Sequence, residues 1–340
     1  MLPRILLIAV ILVLGIIAIS QHVHIEITAT KRDVHQTTFP LVTSTVRSVT
    51  ARTTTVTTPY HTVSVDTMNT TKLSISYNTI NLHPYKYIRI PSGVCTSTGN
   101  RVDSRLLILV KSNIFQFGHR MAIRMTWGSI SDSSIQLAFL LGYSPLVTPF
   151  VKMEYELHKD IIQENFLDEY KNNTLKTIMG FNWVTTYCNQ SKFILFVDDD
   201  YFVNVPNVRD FVNNIIANQS TFIGYKYGKA RPRRKQNSKW YVSKEEYPYE
   251  YWPPYISGGS MLISMDVIIN MTKTFPYVKQ LYIDDVYLGI VADLLNITLS
   301  HDRRFETKYV PGQLRTLLSS HEYGSPHNLV HQWSKIDDET

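Results

Sequence analysis

Phe193-Ile194-Leu195-Phe196-Val197 is apolar at every position and runs straight into Asp198-Asp199-Asp200. An unbroken apolar run of this length suits a central strand covered on both faces by helices. Three carboxylates at its carboxyl end are costly to hold there unless a cation meets them. In open α/β sheets that end of the strand is also where ligands bind. Side chains alternate along a strand, so Asp198 and Asp200 are expected on one side and Asp199 on the other. A hard divalent cation, Mn2+ or Mg2+, suits one or two such carboxylates together with phosphate oxygens of a ligand. A solvated acidic turn is the plainer alternative.

The neighbouring sequence repeats the strand-helix theme. Arg105–Lys111 (RLLILVK) reads as a buried strand, Phe117–Trp127 as a helix and Ile135–Leu141 as a second strand. A longer helix is expected from about Asp168, with Leu175, Ile178, Met179, Trp183 and Tyr187 as its buried face. Such alternation predicts an α/β fold, its mostly parallel central sheet flanked by helices. Arg120 and Arg124 lie four apart on one helical face, within reach of a nucleotide at the sheet's carboxyl edge, or of an ordinary ion pair. Asp284-Asp285 opens another helix, where an acid often serves only as a cap.

The N-terminal quarter has a different character. Ile5–Ile19 is uninterruptedly apolar, follows Arg4, and meets no charge before Glu26. As helix it spans about 22 Å, and extension through Val23 approaches the roughly 30 Å of a hydrocarbon core. An uncleaved signal-anchor over 5–23, with a cytosolic tail at 1–4, competes with a signal peptide cleaved near Ala18-Ile19-Ser20. Either delivers the rest of the chain to the secretory lumen. Residues 24–84 hold fifteen threonines between Thr30 and Thr71 and almost no aromatics, the composition of an extended stalk. Edge-strand pairing of the Thr/Val alternation is the other reading. Six N-x-S/T sequons agree with lumenal topology, and Cys95 and Cys188 could pair there. The net charge of +6 over 340 residues is mild, and aromatics for base stacking are sparse around the basic run Lys226–Lys239, so nucleic acid is not an expected partner.

A series of short motifs then carries a resemblance. His119-Arg120-Met121-Ala122-Ile123-Arg124-Met125-Thr126-Trp127-Gly128 resembles the R-x-A-I-R-x-T-W-G signature of the β1,3-galactosyl/N-acetylglucosaminyltransferase family. Phe139-Leu140-Leu141-Gly142, Glu154, Asp160 to Gln163, Phe166-Leu167-Asp168, Thr174 to Thr177, Trp183, Cys188, Asp198 to Asp200, Lys239-Trp240, Pro253 to Gly259 and Ile283 to Gly289 follow in the family's order. The similarity covers about residues 105 to 300. Two departures stand out. Ile256 occupies a position where the family usually has cysteine, and several further cysteines common in the family are absent.

The resemblance implies a GT-A-like nucleotide-sugar-binding fold over residues 85–340 in a single-pass type II Golgi membrane protein. It implies inverting transfer of galactose or N-acetylglucosamine from a UDP-sugar to the 3-hydroxyl of an acceptor glycan on glycoprotein or glycolipid. On the family pattern, Asp200, Asp198 and His321 would hold Mn2+ or Mg2+, and Asp285, or else Asp284, would be the catalytic base. Arg120, Arg124, Lys176, Asp198, Asp199, Gly258 and Gly259 would face the donor, the two glycines letting backbone approach the sugar. A non-catalytic relative of the same fold, or a glycan-binding surface protein, is the competing possibility.

Overall fold

A computed structural model of the chain describes residues 55–58, 61–64, 78–95, 105–216 and 219–337. The apolar segment 5–23 and most of the Thr-rich stretch lie outside those residues. Among the described residues no helix is long and apolar enough to cross a membrane. Within the Thr-rich stretch, β1 (Thr55–Thr58) and β2 (His61–Ser64) pair into a two-stranded ribbon.

The main body is built on an eight-stranded sheet. Its strands are β3 (Tyr87–Arg89), β4 (Leu106–Lys111), β5 (Ile135–Tyr143), β6 (Ile161–Leu167), β7 (Phe193–Asp198), β9 (Phe222–Tyr227), β10 (Tyr255–Ser264) and β11 (Ser300–His301). The spatial order is β11-β9-β10-β7-β4-β5-β6-β3. The four strands β7-β4-β5-β6 run parallel, while β10 is antiparallel to both β7 and β9. A small separate sheet joins β8 (Phe202–Val203) to β12 (Ser319–Ser320) beside the end of β7.

The central strands are hydrophobic throughout because both faces are covered. In β4, Leu107 and Leu109 enter one core, with the helices Asn173–Tyr187, Met265–Thr274 and Asp284–Leu294. Leu106, Ile108 and Val110 enter the other, with the helices Phe117–Met125 and Val205–Asn213. All five are fully buried, each worth about 1.5–3 kcal/mol of transfer energy. The alternation also aims the polar residues at the strand ends. Lys111 continues the Leu107/Leu109 face and Asp198 the Ile194/Phe196 face, and the two are register partners across β4 and β7. Both therefore point toward the start of the Asp284–Leu294 helix.

A disulfide joins Cys95 to Cys188, which follows directly on the Asn173–Tyr187 helix, with a Cα–Cα separation of 5.3 Å. It staples the segment leading from β3 to the helix that covers the sheet. Ile256, at the family's usual cysteine position, is buried, and a Cβ at Gly224 would lie 2.5 Å from its Cγ2, so an aliphatic side chain fills the space.

Candidate active site

The carboxyl ends of β4 and β7 meet the N-terminus of the Asp284–Leu294 helix around one buried ammonium. Lys111 Nζ lies 2.8 Å from Asp284 Oδ2 and 3.0 Å from Asp198 Oδ1. Thr177 also donates to Asp284 Oδ2, at 2.8 Å. Burial would lift the Asp284 carboxyl, but Lys111 and Thr177 outweigh it and hold the group below the ordinary carboxylate range. Asp198 has the weaker share of Lys111. Burial, aided by Asp200 and Asp284, raises it to about 6. Lys111 itself is held firmly protonated, its two carboxylates overcoming the burial that would discharge it. The strand reading of RLLILVK assigns this lysine no role; buried as it is, its ammonium requires these carboxylates.

Asp285 is the member of the pair without a salt bridge among the described residues. It is half-buried, accepts from its neighbour Val286 N at 2.7 Å and from Gly258 N at 3.3 Å, and has no ammonium of its own. Burial and the adjacent Asp284 charge push it up to about 7, despite those two backbone bonds. Asp284 is buried, paired with Lys111 and held deprotonated, so its proton affinity is the lower of the two. One acid is locked while the other is poised to exchange a proton near neutral pH.

The acidic triplet does not keep strand alternation to its end, because β7 stops at Asp198 and the next two residues form a turn. Asp199 accepts from Ser112 Oγ at 2.6 Å and Asn113 N at 3.3 Å. Asp200 instead meets His321, whose Nε2 lies 3.1 Å from Oδ2; its Oδ1 is buried without a hydrogen-bond partner. The His321 ring is fixed by stacking on Tyr201, with ring centroids 4.7 Å apart, and by its Nδ1 lying 3.3 Å from the Thr307 carbonyl. The three expected ligands are placed differently. Asp200 and His321 converge, whereas Asp198 is turned to Lys111, and among the described residues no trio of ligating side chains gathers. An unsatisfied carboxylate oxygen beside an imidazole still fits a hard cation that takes few protein ligands and completes its shell with phosphate oxygens.

The other donor-side expectations resolve into support. Arg120 is wholly buried and grips Glu154 with Nε and Nη2, at 2.8 and 2.7 Å. Its Nη1 donates to Ser112 Oγ at 3.0 Å and to the Asn113 carbonyl at 2.8 Å. Arg124 is spent on Asp160, at 2.7 and 2.8 Å, and on Glu154 at 2.8 Å. Arg120 makes five such bonds inside the protein, whereas Arg124 makes three with its five N–H donors. Arg120 acts through Ser112, which in turn binds Asp199. Lys176 is likewise buried, its Nζ 2.8 Å from Asp168 Oδ1 and 2.5 Å from the Ser112 carbonyl. The two glycines also differ from expectation, since protein fills the space their missing side chains leave. A Cβ on Gly258 would sit 3.1 Å from Asp285 Cβ, and one on Gly259 only 2.1 Å from the Tyr201 hydroxyl. Their missing side chains make room for Asp285 and Tyr201. Within the basic run, Arg234 is pinned to the carbonyls of Val242, Ser243, Tyr247 and Tyr249 and so is a strut of its loop.

The sequence matches the galactosyltransferase family pattern over residues 118–303. It is 37% identical over 266 residues to Beta-1,3-galactosyltransferase brn of Drosophila melanogaster, covering 75% of this chain and 81% of that one. Against Beta-1,3-galactosyltransferase 5 of Homo sapiens it is 32% identical over 291 residues, covering 78% and 91%. A solved structure of the galactosyltransferase LgtC with donor and acceptor sugar analogues is a remote likeness, at 10% identity and a TM-score of 0.37, covering 68% of this chain and 95% of that one.

Proposed function

The chain belongs to the galactosyltransferase family, and from that premise we propose that it moves galactose from UDP-galactose to the 3-hydroxyl of a glycan acceptor, with inversion at C1. The observation that carries the reading is the division of labour between two adjacent carboxyls. Asp284 is locked on Lys111, while Asp285 sits unpaired by any cation with its proton affinity raised to about 7.

In this scheme the acceptor hydroxyl gives its proton to Asp285 as its oxygen attacks C1. The bond from C1 to the UDP β-phosphate oxygen breaks in the same displacement, so inversion follows without a covalent sugar-enzyme intermediate. Asp200 and His321 would hold Mn2+ or Mg2+, which when bound supplies charge neutralisation for the departing diphosphate. Ser112 and Asn113, held by Arg120 and Lys176, fix Asp199 at the same edge of the sheet. UDP-N-acetylglucosamine is the second donor to test, since it differs from UDP-galactose at C2, a position no residue described above distinguishes.

We further propose that the chain is a single-pass type II Golgi membrane protein, with segment 5–23 as its anchor, 24–84 as its stalk and 85–340 as its lumenal catalytic domain. The six sequons and the Cys95–Cys188 disulfide support exposure to an oxidising, glycosylating lumen.

The test is UDP release by the detergent-solubilised full chain with Mn2+, across UDP-sugars and simple glycoside acceptors. Acceptor-dependent release should fall by about 10²–10⁴-fold in Asp285→Asn, the range for loss of a general base. UDP binding without turnover of any donor would favour a non-catalytic relative. No UDP binding would overturn the proposal.

A further inference from the structure

Beyond Asp285, away from the parallel strands, lies an aromatic surface that the reaction scheme leaves unused. Tyr225 and Tyr227 stand two apart on β9 and so share a face. Tyr227 is the register partner of Tyr255 on β10, and the two rings stack with centroids 5.1 Å apart and planes 28° apart. Tyr225 abuts Tyr227 at 5.3 Å and His301 at 5.1 Å. The outer ring is open: Tyr227 is 36% exposed. The cluster therefore ends in a ring partly open to solvent.

Three observations tie the surface to the reacting centre. A Cβ on Gly289 would lie 2.5 Å from Tyr255 Cβ, so Tyr255 rests on the Asp284–Leu294 helix one turn beyond Asp285. The Asp285 carboxylate acts on both phenols, adding to the burial that raises them. The β10–β9 register breaks between Ile256 and Met261, which frees the segment carrying Gly258 from the ladder and brings its backbone N–H to Asp285.

We infer that the stacked rings of Tyr227 and Tyr255 form the platform on which the acceptor's terminal pyranose lies. This rests on the glycosyl-transfer reading and deepens it. In an in-line displacement the attacking hydroxyl approaches from the side opposite the leaving diphosphate. The acidic ends of β4 and β7 occupy one side of Asp285; β10 and then β9 come next on the other, by the strand order. A pyranose shows a row of weakly positive C–H groups on one face, which complements the negative face of an aromatic ring. The hydroxyls on its edge are left free to meet Asp285. A ring that lends its face to the sugar gives affinity without taking part in the proton transfer.

Steady-state kinetics of the full-length enzyme separate the two roles. UDP-galactose serves as donor, and the methyl β-glycosides of galactose, N-acetylglucosamine and mannose serve as acceptors. Tyr227→Ala should raise acceptor KM about tenfold, the effect of truncating a contact aromatic, with donor KM within about twofold of wild type. Tyr227→Phe keeps the ring and should restore acceptor KM, and an unchanged melting temperature for both variants separates this from loss of structure. An acceptor KM for Tyr227→Ala equal to that of wild type overturns the platform and leaves the transfer reading standing. A rise in donor KM of the same size also overturns it, by assigning the rings to the donor. If wild type transfers to no acceptor and to no other UDP-sugar acceptor pair, the transfer reading itself fails and the platform falls with it.

Discussion

At the scale of single residues, the site turns on how one ammonium is divided. Lys111 satisfies Asp284 fully and Asp198 partly, leaving Asp285 to carry the electrostatic cost of its neighbours. A base works only when deprotonated, so kcat/KM should climb about tenfold per pH unit below the Asp285 midpoint and level off above it. That midpoint lies at about 7. Asp284→Asn removes a charge that raises Asp285, so the inflection in the pH–rate profile should move to lower pH. An inflection that stays in place would mean that burial alone sets it. Much of this was legible in the residues. The acid pair at a helix start and the acidic triplet after FILFV stand out in any reading. The role of Lys111 did not, because a terminal lysine on an apolar strand is equally a solvated strand end until its partner from elsewhere in the chain is known.

Among the elements, the helix Phe117–Met125 shows a motif serving architecture. Arg120 and Arg124 close over Glu154 and Asp160, and through Ser112 the network reaches Asp199. Glu154→Ala would leave the buried Arg120 without its carboxylate, at a cost of about 3–5 kcal/mol in urea unfolding. Arg124 keeps Asp160, so the loss should fall mainly on Arg120. The wholly apolar strands β4 and β7 were plain in the sequence, as was the helix covering Leu175 to Tyr187. The helix Thr148–His158 was not, since Val151 is its only buried residue and its other positions carry no apolar stripe. β6 was hidden differently. Gln163 and Glu164 look like loop residues, yet both are buried, meeting Arg89 and His83 from β3 and the segment before it. The antiparallel pairing of β10 with β9 spans a connection of residues 228–254, and no local pattern announces a partner that distant.

At the largest scale, the main body is a parallel sheet with an antiparallel extension, stapled by the Cys95–Cys188 disulfide. Cys95 and Cys188 are 93 residues apart, and a loop of that size gives a disulfide substantial leverage over the unfolded chain. Cys95→Ala with Cys188→Ala should cost about 2–5 kcal/mol, read as a fall in the urea midpoint with a steeper denaturant slope, since the unlinked chain exposes more surface on unfolding. Strand order sorts the chemistry as well. The acidic and imidazole groups gather at the ends of β4 and β7, the tyrosines line β9 and β10, and the Asp284–Leu294 helix stands where the two meet. Lys111 binds the first region to that helix through two carboxylates at once. In descent, then, the outer strands can drift toward new acceptors one substitution at a time. Lys111 has no such latitude: its loss would leave the buried Asp284 without a cation, so the lysine and that carboxylate are inherited together.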